Sequence, residues 1–236
     1  MSMVTAQFII TCVGEFENFS EIEKVINAPA NKGKFILEKS QSGLEHNHSL
    51  PGLFRDNCDE TTDTLTAEDW DLIDNHAAFA RIVAPIVADQ DKIEVMALGL
   101  VLAGVLLERN LVTAIQCDSS GIAHGRLHWI EMAMKLKVVT RLEIFILLYQ
   151  AWVRKPLVED DLNYSCGMQL FGKPDFVAHK EEYEAVQAME KAFLVAINYP
   201  SASPHVKLIS PVDPVQIYET GDPRYNKYGY VEIAEL

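Results

Sequence analysis

The hydrophobic pattern of the chain is strongest between residues 76 and 136, where it predicts a strand, a long helix, a second strand and a second helix. In the stretch 75–85 (NHAAFARIVAP), apolar residues fill both alternating sets of positions. This pattern is typical of a strand that is covered on both faces. Arg81 is the exception, and we expect it to lie near a strand end or to pair with an acid.

The run Val95–Leu107 (VMALGLVLAGVLL) contains no polar side chain and predicts a buried helix over residues 91–109. It is shorter than the roughly 20 apolar residues that span a membrane. Arg109 and Asn110 should end the helix, because a cation suits the negative helix end and Asn tolerates a left-handed turn. The β-branched stretch Leu111–Cys117 predicts a strand. Strand, helix and strand form a predicted βαβ unit with parallel strands and a right-handed connection.

Weaker patterns complete an α+β fold, a mixed β-sheet with a βαβ unit and a long buried helix, with helices packed on the sheet. Residues 1–65 (a strand, a helix and a polar loop) are expected to share one domain with the main α+β body, 66–236. In chain order, the other predicted elements are strand Val4–Val13, a helix from Ser20 to Asn27, strand Lys34–Glu38, a loop over Lys39–Leu65, a helix from Thr66, helix Ala123–Leu136, strands Leu142–Val153 and Asp161–Phe171 joined through Val158–Asp161, helix Glu181–Asn198, and strands Val206–Ile209, Val215–Tyr218 and Tyr228–Ile233. A helix is the alternative for Leu142–Val153.

The cysteines and the N-terminal region predict a cytoplasmic protein with reduced thiols. Cys12, Cys58, Cys117 and Cys166 show no CxxC spacing, and no basic segment precedes the interrupted apolar stretch Phe8–Val13. A chain of 236 residues buries roughly 70–75% of its unfolded surface, so disulfide bonds are not needed for stability.

The formal net charge of −14 is unevenly distributed along the chain. Residues 1–118 carry a net −11, and residues 119–236 carry a net −3. The acids concentrate in one segment: Asp56, Asp59, Glu60, Asp63, Glu68, Asp69, Asp71 and Asp74. Such a field repels nucleic acid and anionic membranes and attracts basic proteins. The alternative is a solvated segment that only keeps the protein soluble.

The first candidate site combines Cys117, His124 and His128. On a helix, two histidines four residues apart share one face, and a thiolate would supply a third zinc ligand. The segment lacks the Glu of an HExxH motif, since Glu131 follows His128 instead. A Cys/His nucleophilic pair is a related hypothesis, and buried structural residues are the alternative to both.

The second candidate is the turn Asp118-Ser119-Ser120-Gly121, which with His124 would bind a ligand. At the carboxyl end of a parallel strand, such a turn lies where open α/β sheets bind ligands, and the following helix N-terminus would offer amide protons to an anion. Against this, Asp118 repels anions, and these residue types are common in ordinary turns. The sequence contains neither a GxGxxG nor a GxxxxGK[ST] motif.

Two further features are interpreted as structural. Cys166 and Gly167 lie within a predicted strand, where no adjacent cation lowers the thiol pKa and Gly indicates a bulge or a close backbone approach. His46 and His48 form a surface pair inside the predicted loop.

Four segments give the chain a resemblance to a bacterial domain-of-unknown-function family, the one numbered 4261. They are NHAAFARIV (75–83), AIQCDSSGIAH (114–124), Trp152 and YSCGMQLFGKPD (164–175). The resemblance covers residues 76–236 and implies a recurring bacterial α+β fold. It implies no reaction, cofactor or site.

We therefore expect a non-catalytic protein-binding module, similar to an immunity protein or an inhibitor, that uses its acidic surface to bind a basic partner. No cofactor, nucleic acid or membrane is expected. The rival hypothesis is a small-molecule- or metal-dependent enzyme with a site near Asp118–His128. Edge strands at Val215–Tyr218 or Val231–Ile233 would allow two copies of the chain to pair.

Overall fold

The computed structural model describes residues 7–58, 64–159, 162–173, 175–178, 208–212 and 230–233, and it has an α+β fold. In these residues the helices are α1 Ser20–Ile26, α2 Leu50–Asn57, α3 Ala67–Asp74, α4 Lys92–Glu108, α5 Arg126–Lys135 and α6 Arg141–Trp152. The strands are β1 Ile9–Gly14, β2 Ile36–Leu37, β3 Ala78–Val83, β4 Ala114–Cys117, β5 Ile122–His124, β6 Arg154–Glu159, β7 Leu162–Cys166, β8 Asp175–Ala178, β9 Leu208–Val212 and β10 Tyr230–Ile233. Short 3-10 helices occupy Lys39–Gln41, Asp89–Asp91 and Met168–Phe171.

The first sheet has the strand order β2-β3-β1-β4-β5, and all neighbours in it are antiparallel. The predicted β3-α4-β4 unit differs from expectation in one respect. Its two strands run in the same direction, since both are antiparallel to β1, but β1 lies between them. The N-terminal segment therefore supplies the middle strand of the sheet.

One face of the first sheet packs against α4. The side chains of Ile10, Cys12, Ala80 and Ile82 on this face are fully buried. The predicted helix end is confirmed, because Asn110 follows α4 with a left-handed φ of 56°. Helices α1, α5 and α6 complete this main core.

The opposite face carries a smaller core under α2 and α3. Val13 and Ala114 from the sheet pack there with Phe54 of α2 and Ile73 of α3. Both ends of the α2 segment are fixed to the sheet. Gly43 exchanges two backbone hydrogen bonds with Phe79, and Cys58 forms a bridge with β5.

Two predictions in the middle of the chain are wrong. The predicted loop Lys39–Leu65 contains α2, an eight-residue helix in which Leu50 and Phe54 are buried. Pro51 and Gly52 weaken the sequence signal of this helix, because both residue types are typical of loops. The predicted helix Ala123–Leu136 begins as β5, and α5 starts only at Arg126.

The stretch Leu142–Val153 belongs to α6, so the helical alternative is correct and the strand is wrong. A helix buried on several sides lacks the polar face that identifies helices in sequence. The capping box formed by Thr140 and Glu143 is the signal that identifies this helix. Residues Arg154–Glu159 form β6, so Val158 and Glu159 of the predicted connection Val158–Asp161 belong to a strand.

The second sheet has the order β6-β7-β8-β10-β9, with a parallel pair between β8 and β10. The predicted edge strand at Val231–Ile233 is wrong, because β10 pairs on both sides. The predicted helix Glu181–Asn198 and strand Val215–Tyr218 lie outside the described residues. None of the helices in the described ranges has the length and apolar character needed to cross a membrane.

Candidate functional site

Helix α3 begins at a capping box that buries one of the predicted surface acids. The Asp69 carboxylate accepts hydrogen bonds from the Thr66 backbone N–H and hydroxyl at 2.9 and 2.8 Å. Its other oxygen accepts the Arg126 N–H at the start of α5, at 3.3 Å. Asp69 thus binds two helix N-termini, where a negative charge is favourable, and it contributes nothing to an exposed acidic surface.

The exposed acids of α2 and α3 form what we call the acidic surface: Asp56, Glu68, Asp71 and Asp74. Arg55 lies among them on α2, and one of its nitrogens contacts both carboxylate oxygens of Asp74 at 2.7 Å. The same guanidinium lies 5.2 Å from the ring centroid of Trp70, a cation–π distance. The other predicted members, Asp59, Glu60 and Asp63, lie outside the described residues.

Apolar side chains lie on the same two helices and on the loop before them. Leu53 on α2 is 45% exposed, Leu44 is 50% exposed, and Trp70 is half-buried. A partly exposed aromatic residue and exposed aliphatic residues on helices that carry charged groups are typical of protein interfaces.

Three imidazoles lie in a row at the border of this surface, with His46 stacked on His76 and tilted against His48. The His46 ring lies 4.4 Å from that of His76 and 4.5 Å from that of His48. His76 is buried, and both of its ring nitrogens have hydrogen-bond partners, the Ile73 carbonyl at 2.7 Å and the Asn47 N–H at 3.1 Å. Burial lowers the His76 pKa, the Ile73 hydrogen bond opposes this, and the charges of His46 and His48 lower it further.

The turn Asp118–Gly121 connects β4 to β5 as a hairpin, and Gly121 adopts a left-handed φ of 64°. The expected helix N-terminus does not follow the turn, because β5 does, so no helix start at this position offers the amide protons expected to bind an anion. The Ser119 hydroxyl donates to the Gln7 carbonyl at 2.6 Å and accepts the Ile9 N–H at 2.8 Å. Ser120 is fully buried, and a Cβ added to Gly167 would lie 2.8 Å from its side chain. Ser119 therefore fixes the turn to the start of β1, whereas Ser120 is packed against Gly167.

Asp118 itself belongs to a polar row on the second face of the sheet. Its carboxylate accepts the Thr11 hydroxyl at 2.8 Å and the Gln116 amide at 3.1 Å, and Asn57 donates to the Gln116 carbonyl at 3.2 Å. Arg81 lies 4.0 Å away and pairs with Glu38 at 3.2 Å, as the acid-pairing prediction expects. Burial raises the Asp118 pKa against the lowering effect of Thr11, Arg81 and Gln116.

The residues Cys117, His124 and His128 do not share a helix face. His124 belongs to β5 and is buried, with its ring 4.8 Å from that of His128 and 4.9 Å from that of Trp129. Cys117 pairs with Ile122, whereas His124 pairs with Ile115, two positions along the ladder. Burial raises the pKa of the Cys117 thiol to about 11, which disfavours the thiolate that zinc needs. Across the described ranges, no three His, Cys, Asp or Glu side chains are grouped to hold a metal.

The other three cysteines differ in how deeply their thiols are buried. Cys12 and Cys166 are fully buried, and burial raises the Cys12 pKa far above its ordinary value, with the Asp118 charge adding to the effect. Cys58 is half-buried at the end of α2 and donates to the Arg55 carbonyl. The buried thiols are therefore part of the core, as the sequence predicts for Cys166.

Sequence reasoning missed two groups of polar residues, the polar row and His76. The polar row depends on the register that places Thr11 opposite both Arg81 and Gln116. The sequence signal for it was the charge of Arg81 in an apolar strand. His76 gave no signal, since its ring partners lie 28 and 30 residues away in a segment predicted as loop.

No protein-family model matches this chain, and neither the curated proteins nor the solved structures include a match. The resemblance to the bacterial family numbered 4261 therefore stays a prediction.

Proposed function

We propose that this chain is a non-catalytic protein-binding module whose acidic surface on α2 and α3 binds a basic segment of a partner protein. An immunity-like or inhibitor-like role against a basic protein fits this chemistry. The observation that carries the proposal is the excess of exposed carboxylates over cations on two adjacent helices. Such a field accelerates the association of a basic partner and suppresses acidic ones.

The charge balance of this region supports the proposal. Between residues 40 and 80, Arg55 is the only Lys or Arg among nine acids. Its charge is compensated by Asp74, and its guanidinium carbon lies over the Trp70 ring. The carboxylates of Glu68 and Asp71 therefore face solvent with no lysine or arginine from these helices beside them.

The apolar side chains beside the acids supply the second component of an interface. Charges direct encounter, but binding energy concentrates in a few aromatic or aliphatic residues surrounded by a polar rim. Trp70 and Leu53 are suited to this role, because both are partly exposed on the helices that carry the acids.

The test compares two sets of neutralised acids. One variant carries Asp56→Asn, Glu68→Gln and Asp71→Asn. The matched control, Glu15→Gln, Glu17→Gln and Glu131→Gln, changes the net charge equally at exposed positions elsewhere. Each protein, with the unmodified chain, is used to capture basic proteins from a lysate of the native host at low and at high salt.

The proposal expects a basic partner that the unmodified chain and the control retain at low salt. The surface variant and high salt should both release it, because exposed charge pairs are screened by salt. Equal capture by all three proteins would overturn the proposal, and so would the absence of any captured basic protein.

The enzyme hypothesis near Asp118–His128 stays a prediction with a simple test. Metal analysis of the protein purified without chelator should find stoichiometric zinc that is lost in a His124→Ala, His128→Ala variant. Finding no metal in the unmodified protein would exclude the metal-dependent form of that hypothesis.

A further inference from the structure

The row of three imidazoles (His46, His48 and His76), which we call the stack, connects the loop before α2 to the end of α3. His46 is the middle ring, and its Nε2 is 3.0 Å from the Asp74 carbonyl oxygen. His76 follows α3 and lies under the loop, with only 1% of its surface exposed. The rings of His46 and His76 are nearly parallel, at 27°. The contact between the loop and the end of α3 is therefore formed by imidazole groups that can each take up a proton.

The hydrogen bonds define the protonation state of His76. The Asn47 backbone N–H can only donate, so Nε2 of His76 must accept and carries no proton. Nδ1 must then carry the proton and donate it to the Ile73 carbonyl. Both ring nitrogens of the neutral side chain are used, and a second proton on Nε2 would displace the Asn47 N–H.

We propose that this stack is a proton-sensitive latch: protonation of His76 breaks its bond to Asn47 and releases residues 44–57, including α2, from the end of α3. Gly43 and Cys58 remain bonded to the sheet, so the movement is confined to the segment between them. The opening of this segment on protonation of His76 does not depend on the proposed function, whereas a role of that opening in regulating partner binding rests on it.

The surrounding charges oppose one another. His46 and His48 on the loop add positive charge when protonated and repel a protonated His76. On α3, the carboxylates of Asp71 and Asp74 would attract it, but Asp74 is already paired with Arg55 of α2, and Asp71 accepts a hydrogen bond from Asn75. Glu45 is exposed on the loop. Repulsion within the stack and the lost Asn47 bond therefore favour opening. The Arg55–Asp74 ion pair joins α2 to α3 and opposes it, but both side chains are exposed, so this pair is weak and must separate when the segment is released.

The direction of the pH effect follows from the burial of neutral His76. The open state binds a proton near the ordinary histidine pKa of about 6.5, whereas the closed state binds it only at lower pH. Closure is therefore complete above that pH and weakens as the pH falls through the window below it. Because His76 takes up one proton when the segment opens, the equilibrium constant for opening rises by up to about tenfold for each unit that the pH falls in this window.

The experiment measures amide hydrogen exchange in the full chain at pH 7.5 and 5.0, corrected for the intrinsic pH dependence of exchange. At pH 5.0, the amides of α2 should lose about tenfold or more of their protection relative to pH 7.5, while those of β1 and β4 keep theirs. In a His76→Gln variant this pH dependence should disappear, and in a variant of the exposed outer ring, His48→Gln, it should persist. Unchanged α2 protection in the unmodified chain, or the same loss in His76→Gln, would overturn the proposal.

A second measurement needs no variant. NMR of the unmodified chain should show His76 as the neutral Nδ1–H tautomer at pH 7.5, and its protonation should coincide with a change in the Asn47 amide resonance. Protonation of His76 without any change at Asn47 or α2 would also overturn the latch. Neither measurement involves a partner, so failure of the latch and failure of the acidic-surface proposal are separate results.

Discussion

The two faces of the first sheet contrast in how their side chains are used. Toward α4, the side chains of Ile10, Ala80 and Ile82 are apolar and fully buried. On the opposite face, the same strands contribute an apolar patch under α2 and α3 at one end, and the polar row around Thr11 and Asp118 at the other. One face is committed entirely to packing, whereas the other also carries charge and hydrogen-bonding groups.

This difference indicates where the molecule can interact or change. The α4 face is covered by the main core, so substitutions of its buried side chains should affect the stability of the whole fold. The α2–α3 face is covered by two eight-residue helices, which contribute Leu50, Phe54 and Ile73 to a core of seven buried residues. The acidic surface and the histidine latch both belong to this second, smaller layer.

The largest effect is expected on the α4 face. Trp129 is fully buried between Trp152 and His124, and its indole N–H donates to the Ile115 carbonyl at 3.1 Å. Trp129→Ala should lower the free energy of unfolding by about 3–5 kcal/mol, measured by urea unfolding. Leu127→Ala on the same helix, at a side chain that is 69% exposed, should change it by less than about 0.5 kcal/mol. Equal losses in both variants would contradict the assigned core.

Two glycines in helices should respond in opposite directions. A Cβ on Gly104 of α4 would clash with the Ala133 Cβ of α5, so Gly104→Ala should push these helices apart and cost about 1–3 kcal/mol. A Cβ on Gly52 of α2 would meet nothing within 4 Å, so Gly52→Ala should stabilise by about 0.5–1 kcal/mol through helix propensity. Thermal unfolding of both variants checks the signs, and stabilisation by Gly104→Ala would show that α4 and α5 pack less closely than described.

The α4 face was the more predictable of the two because its signals are local. The run Val95–Leu107 determines a buried helix without knowledge of its partners, and Asn110 indicates where the helix ends. The order of strands around it was not predictable from that run. The position of β1 between β3 and β4 depends on pairing with strands that lie about 70 and 100 residues further along the chain, and no local pattern in the sequence predicts this strand order.

The second face was poorly predicted because its signals are weak or distant. Helix α2 buries only Leu50 and Phe54, which is too few to show a helical period. His124 was placed on a helix because Gly125, which ends β5, was not recognised as a boundary. The acids were recognised by composition, but only the structure distinguishes buried Asp69 from exposed Glu68.

That distinction gives the third prediction. Asp69→Ala removes the carboxylate that accepts the Thr66 backbone N–H in the capping box and also accepts the Arg126 N–H, so it should lower the free energy of unfolding by about 1–2 kcal/mol. Glu68→Ala, one residue earlier and exposed, should have an effect within about 0.5 kcal/mol. Urea unfolding at neutral pH compares the two. A larger loss for Glu68→Ala would reverse the assignment of cap and surface.

The smallest effect is expected in the polar row, and it depends on pH. Because burial raises the Asp118 pKa, the folded state holds this proton to higher pH than the unfolded state, so stability is lost as pH rises through the window above the ordinary value and stays lower at pH 7. Asp118→Asn removes the charge and keeps the network, since its amide can donate to the Thr11 hydroxyl while its carbonyl accepts from Gln116.

The Asp118→Asn variant should therefore be more stable than the unmodified chain at pH 7, by less than about 1 kcal/mol, and this advantage should vanish below pH 4, where Asp118 is protonated in both states. Thr11→Val is the contrasting change, because it removes a donor from a carboxylate that stays buried, and it should destabilise at pH 7. Unfolding of the three proteins at both pH values decides the matter. An Asp118→Asn variant that is less stable at pH 7 would mean that the hydrogen bonds to the ionised carboxylate outweigh its burial, and the second face would then be stabilised by its charge.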